Sequence, residues 1–417
     1  MNLPYSNRAL VVDDFARHVS RGKADFFRQF GLDFIPGERN GCFLNDFEGK
    51  AYLNCHCNGG VFNLGHRHPK IVAALKRALE TWDIGNHHLI SMPRAMLGRQ
   101  LAELLPGDIN QTVFGVGGGE AIDLALKLAK GITGRPNIIS AKGGFHGHTG
   151  LALAAGDDQY RAPFGPNPPG FSQAKFGDIA ALDAAVDSKT AAVILETIPA
   201  TLGIVIPPRD YLENVRRICD RSGALMVIDE VQCGLGRTGR LWAIDEYDVV
   251  PDIVVIGKGL SGGIYPISAT CYRDKFDFFF RKYPFIHIST FGGSELGCFP
   301  AMAVLEESSS AAFLQHVNEM AAFFSEQFTA LQEKFPQLLI EIRQKGLMMG
   351  LKFSAEKISM GVCKMLYDNG VFAIFSGNDT CVIQFLPPLI IQKPEAEFAI
   401  SALTKSLEVL QGMLGGK

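Results

Sequence analysis

No apolar run in this chain approaches the ~20 residues that a membrane-spanning helix needs. Neither sign of charge dominates. Forty Lys and Arg against 43 Asp and Glu leave a net charge of −3, which gives no electrostatic pull toward nucleic acid. The N-terminus carries Asp13 and Asp14 and has no apolar core of a secretory signal. The nine cysteines are odd in number and follow no framework spacing, so they are expected to be reduced thiols of a cytoplasmic protein. Internal repeats and low-complexity tracts are missing too.

Several nucleotide and metal motifs are also lacking. A dinucleotide fingerprint needs G-x-G-x-x-G, but Gly115-Val116-Gly117-Gly118-Gly119 runs into Glu120. A P-loop needs Gly-Lys-Ser/Thr, but Gly257-Lys258 is followed by Gly259. Cys55-His56-Cys57 with His66 and His68 matches no closed tetrahedral zinc pattern. Such clusters more often serve packing and turns, so no metal is expected.

What the chain does have centres on Lys258. The β-branched run Ile253-Val254-Val255-Ile256 reads as a buried strand and delivers Lys258 into the turn Gly257-Lys258-Gly259. Burying an ammonium is costly, so a lysine there is either a strand-end residue in water or a candidate Schiff-base nucleophile. Upstream, Ala224 to Ile228 reads as a second buried strand ending in Asp229 and Glu230. The spacing from Asp229 to Lys258 fits one crossover between parallel strands. Both residues then follow strand carboxyl ends, where open parallel sheets bind ligands. A pyridine aldehyde cofactor uses both groups. The lysine forms the imine, and the carboxylate keeps the ring nitrogen protonated.

A phosphate site would complete the set. Thr112 to Val116 reads as a strand, Gly117-Gly118-Gly119 as a turn, and Glu120 to Lys130 as a helix. A helix N-terminus after a glycine turn presents free N–H groups and a positive dipole end to an anion.

At this point the residues resemble fold type I pyridoxal-phosphate enzymes, and more narrowly the class III aminotransferases of ornithine and ω-amino acid type. The stretch VIDEVQCGLGRTG from Val227 to Gly239 carries much of the likeness. Gly65-His66-Arg67-His68-Pro69, Phe145-His146-Gly147, Thr290-Phe291-Gly292-Gly293 and Phe385-Leu386-Pro387-Pro388-Leu389 carry the rest, in matching order. The resemblance implies that pyridoxal 5′-phosphate attaches to Lys258, which later shuttles the proton, while Asp229 pairs with the pyridine nitrogen. It implies Val231 under the ring, Gln232 near the phenolic oxygen, Gly118 and Gly119 at the phosphate, and Phe145 stacked on the ring. It places His146 in the cofactor-binding set, together with Glu196, which matches a glutamate in the substrate half of the site. Thr290 matches a threonine that reaches the phosphate from the partner subunit of a homodimer.

The chain departs from that pattern in four places. Gly117 and Gly119 stand where the family's turn usually carries hydroxyl residues, and Phe145 where tyrosine is usual. Thr197 to Gly203 replaces Pro-Ile-Gln-Gly-Glu-Gly-Gly. Gln384 stands where many members carry an arginine for a substrate carboxylate. A glutamine offers neither charge nor a bidentate fork. The expected activity is transfer of an amino group from a primary amine or amino acid to an oxo acid. Gln384 keeps open a lyase (ammonia or phospho elimination) or an amino acid epimerase. A cofactor-free binding protein on the same fold would be expected to lose Lys258 or Asp229, and neither is lost.

The expected fold is α/β of fold type I, with a mostly parallel seven-stranded sheet in the large domain and a smaller α+β domain built from both termini. Residues 1–57 open the small domain, 58–300 form the large domain and 301–417 complete the small one. Val12 to Phe30 reads as one helix, Arg39 to Asn54 as a hairpin, and Tyr160 to Phe176 as a Pro- and Gly-rich loop.

Overall fold

A computed structural model describes residues 5–32 and 34–415. Its centre is a seven-stranded sheet. In spatial order the strands are Ile109–Gly115, Ser268–Arg273, Ile253–Ile256, Leu225–Asp229, Thr190–Glu196, Asn137–Lys142 and Phe171–Lys175. Only Ser268–Arg273 runs against its neighbours. The four pairings from Ile253–Ile256 outward to Phe171–Lys175 are parallel.

The three middle strands Thr190–Glu196, Leu225–Asp229 and Ile253–Ile256 are buried at every residue. Both faces are covered, so these strands read as continuous apolar runs rather than as alternation. Helix Gly118–Thr133 packs its Ile122, Ala125 and Ala129 with Ile194, Val227 and Val255 on one face. Ile228, Val254 and Ile256 point into the larger core on the other. Register then sets the site. Glu196 pairs with Asp229 and Asp229 with Val255, so three carboxyl ends finish at one edge.

Two four-stranded sheets flank this unit. One contains Pro36–Asn40, Phe43–Asp46, Ala51–Asn54 and Val371–Phe372; the other contains Leu339–Lys345, Met348–Phe353, Val382–Phe385 and Ile374–Phe375. Val371 pairs in parallel with Leu53, which joins the two ends of the chain. Helices Ala311–Lys334, Glu356–Asp368 and Lys393–Gly415 accompany the second sheet. No helix among the described residues is long and apolar enough to cross a membrane.

Two local expectations are corrected. The single helix over Val12 to Phe30 is two, Arg8–His18 and Arg21–Gln29, because the Ser20 side chain caps the second by accepting from the Lys23 N–H. The loop over Tyr160 to Phe176 ends in strand Phe171–Lys175, the sheet's outer edge. Only Ala174 of that strand is buried, so its sequence carries no alternation to read.

Candidate active site

Lys258 follows its strand by one glycine and opens the short turn Lys258–Ser261. Its φ is +41°, a left-handed conformation that few non-glycine residues adopt and that costs of order 1 kcal/mol. The Ser261 hydroxyl fixes this turn by donating to the Lys258 carbonyl at 2.7 Å. The amine Nζ donates to Gln232 Oε1 at 2.6 Å. Gln232 Nε2 in turn donates to Gln384 Oε1 at 3.3 Å, so the buried Gln384 is tied into the same cluster. Gly59, at φ +64°, closes over the amine: a Cβ there would lie 3.3 Å from Nζ. Burial lowers the Lys258 pKa below its ordinary value, and the charges of Asp229 and Glu196 oppose that shift.

Asp229 is buried with both oxygens occupied. Oδ1 accepts from the Val231 N–H at 3.0 Å, and Oδ2 accepts from His146 Nδ1 at 2.8 Å. Burial alone would push the His146 pKa down. Its hydrogen bond to Asp229 and the negative charges of Asp229 and Glu196 outweigh burial and raise it. The other ring nitrogen, Nε2, is buried without a partner. Glu196 accepts from the Phe145 N–H at 3.0 Å. Burial lifts its carboxyl to about 7, even with His146 pulling the other way.

The glycine turn closes the site from the other side. Gly117 is the extended residue before helix Gly118–Thr133 and has no side chain to cap it. A Cβ on Gly118 would lie 3.2 Å from Val231 Cγ1, and one on Gly119 only 2.8 Å from Thr149 Oγ1. The turn therefore fits between two walls only because it lacks side chains. A cavity of about 350 Å³ runs from Gly117 and Gly118 to Lys258, Ser261 and Tyr265. Phe145 stands edge-on to His148 and Tyr160, with centroids 5.1 and 5.3 Å away.

The structure thus gathers Lys258, Asp229, His146, Glu196, Phe145, Val231, Gln232, Gly118 and Gly119 at one sheet edge. It does not bring Thr290 among them. Thr290 is exposed and lies on the largely exposed stretch 281–291 of its own chain. Sequence reasoning missed Gly59, Thr149 and Tyr160. The glycine pair Gly59-Gly60 was the one local signal for the first. It also missed Glu230, which accepts from the Thr197 hydroxyl at 2.5 Å and from the Ala243 and Ile244 N–H groups at 2.9 Å each, bracing the turn after Asp229.

The donor set fits a flat ring with an anionic arm. It offers a buried carboxylate, a side-chain-free turn at a helix N-terminus, and an amine lining the cavity that the turn opens. Comparison with known proteins decides the matter. The family profile described as aminotransferase class-III matches residues 30–407. The chain belongs to the class III aminotransferases. It is 54% identical over 402 residues to an uncharacterized aminotransferase of Archaeoglobus fulgidus, covering 96% of this chain and 95% of that one. It is 35% identical to the putrescine aminotransferase of Pectobacterium atrosepticum, covering 89% and 81%. The structure matches that of the taurine:2-oxoglutarate aminotransferase from Bifidobacterium kashiwanohense, solved in complex with PLP and glutamate. The TM-score is 0.88 at 25% identity, over 98% of this chain and 99% of the other. The fold is accordingly the α/β fold type I expected, and this class III aminotransferase depends on pyridoxal 5′-phosphate for amino-group transfer.

Proposed function

We propose that Lys258 is the covalent attachment point of pyridoxal 5′-phosphate and the base that moves the substrate proton. The observation that carries this is the Lys258 amine, held at 2.6 Å by Gln232 on the edge where Asp229 and Glu196 end adjacent strands. When bound, the cofactor supplies an electron sink for the substrate carbanion. The chain's own residues supply the rest. Asp229, oriented by His146 and the Val231 N–H, holds a proton at the ring nitrogen. Val231 and Phe145 would hold the two faces of the ring, and Gln232 would be the side-chain partner for its phenolic oxygen. Gly118 and Gly119 leave backbone N–H groups free for the phosphate. Burial lowers the Lys258 pKa below its ordinary value, the direction that favours a proton shuttle.

The donor is a primary amine or amino acid. Gln384 bears on the acceptor. Its amide faces Gln232 and brings no charge, so 2-oxoglutarate is a poor acceptor, and pyruvate or an aldehyde serves better. The same residue favours a second reading, elimination or epimerisation on this scaffold. A single-turnover screen separates the two. Conversion of the bound cofactor's absorbance to that of its amine form supports transfer. Ammonia release with the starting spectrum restored, or racemised substrate, supports the second reading.

The working unit is a homodimer with shared sites. Leu89, Ile90, Phe285, Ile286 and Phe291 are exposed apolar residues. They come from two stretches that meet where His88 lies 6.0 Å from Phe285 and Arg94 Nε donates to the Gly293 carbonyl at 2.7 Å. Such a patch suits burial against a second copy, and Thr290 sits within it. The division into a small domain from residues 1–57 and 301–417 and a large one from 58–300 belongs to this reading, with helix Glu295–Ser308 spanning the later boundary. All nine cysteines are free thiols, which supports a cytoplasmic location.

A further inference from the structure

Thr149 occupies an unusual place for a threonine at a helix start. It is the residue before helix Gly150–Ala155, with extended φ and ψ of −84° and 171°. A threonine there normally accepts from an N–H in the first turn. Here its side chain makes no such bond. The Ala152 N–H, its ordinary partner, donates instead to Asp123 Oδ1 at 2.7 Å. Asp123 comes from the neighbouring helix Gly118–Thr133, so that helix caps the shorter one and releases the Thr149 hydroxyl.

The released hydroxyl stands against the glycine turn. A Cβ built on Gly119 would lie 2.8 Å from Thr149 Oγ1 and 3.2 Å from Thr149 Cγ2. Oγ1 therefore sits beside the space that a hydroxyl side chain at position 119 would use. The backbone that carries Thr149 is drawn in just as closely. Gly147 has φ +124°, and a Cβ there would lie 2.8 Å from Gly119 Cα. Gly119 and Gly147 pack backbone to backbone, and the result sets Thr149 beside the first turn of the longer helix. Thr149 is an exposed residue.

We propose that the Thr149 hydroxyl donates a hydrogen bond to the cofactor's phosphate, supplying from a neighbouring segment the side-chain donor that Gly117-Gly118-Gly119 lacks. This rests on the reading of that turn as the phosphate cradle. Thr149 is a binding residue in this account and has no part in proton transfer.

The test measures the dissociation constants of pyridoxal 5′-phosphate and of pyridoxal, which has no phosphate, with apoenzyme by absorbance titration. Thr149→Val should weaken pyridoxal phosphate roughly ten- to hundredfold, the effect of one hydrogen bond to a charged group. It should leave pyridoxal binding unchanged, which also shows that the variant folds. Thr149→Ser should bind as the wild type does. Gly119→Ser alone should weaken phosphate binding because it collides with Thr149. Gly119→Ser combined with Thr149→Ala should recover most of the loss, and Gly119→Asp combined with Thr149→Ala should not. Equal losses for both ligands in Thr149→Val, or no loss, overturn the role of Thr149. If the changes at position 119 also leave the ratio of the two constants untouched, the turn itself is not the cradle.

Discussion

Replacing Gln384 by arginine changes acceptor choice, and the size of the change follows from its surroundings. Gln384 is buried and accepts one hydrogen bond, from Gln232 Nε2 at 3.3 Å. Losing that long bond costs about 1 kcal/mol or less. A guanidinium there gives a dicarboxylic acceptor a bidentate, charge-assisted partner in a desolvated site, a gain of about 2–4 kcal/mol. The net gain is about 1–3 kcal/mol, roughly five- to 150-fold in specificity constant. One neighbour limits it. Lys258 donates to Gln232, the partner of Gln384, so its positive charge opposes a second cation there. The assay compares kcat/KM for 2-oxoglutarate and pyruvate in wild type and Gln384→Arg. The 2-oxoglutarate value should rise in the variant and the pyruvate value should not. A wild-type enzyme that already prefers 2-oxoglutarate strongly refutes the reasoning, because some other cation must then bind the carboxylate.

Three further outcomes are expected. Asp229→Asn keeps the shape but removes the charge held by His146 and the Val231 N–H, and kcat should fall roughly 10³-fold, about 4 kcal/mol; near-wild-type turnover would remove Asp229 from the mechanism. Lys258→Ala and Thr290→Ala subunits, each inactive alone, should regain activity in mixed dimers, because one site is then intact; silent, verified heterodimers would mean that each site closes within one chain. Stability should depend on pH through Glu196, whose carboxyl burial lifts to about 7. A raised carboxyl keeps its proton in the folded state after the unfolded chain has released it. Its contribution is full below the unfolded pKa of ~4.3 and is lost as pH rises through about 7. Glu196→Gln apoenzyme should show a flatter melting temperature between pH 5 and 7.5, although Glu230, also lifted to about 7, keeps part of the slope; an unchanged slope contradicts the assignment.

The sheet interior was legible because buried parallel strands are written as unbroken runs, such as Ile253–Ile256. The strand-turn-helix at Gly117 was legible because only glycine tolerates the approach of Val231 and Thr149. Edge strand Phe171–Lys175 was not, since one buried residue leaves no pattern. The break at Ser20 was missed although serine is a capping residue type, and its bond from the Lys23 N–H starts the second helix. His146 was placed by resemblance, but its bond to Asp229, 83 positions away, exists only in the fold. The same holds for Thr149, whose freedom depends on a carboxylate from another helix. Local sequence records what a residue can do, and register decides what it meets.

The central claim is that Lys258 carries the cofactor, and borohydride reduction of the loaded enzyme tests it most directly. Reduction fixes the cofactor irreversibly to the amine that holds it, and peptide mapping by mass spectrometry then locates the adduct. The account predicts one modified peptide, the one containing Lys258, and none in Lys258→Ala. An adduct on any other lysine, with the Lys258 peptide unmodified, contradicts it.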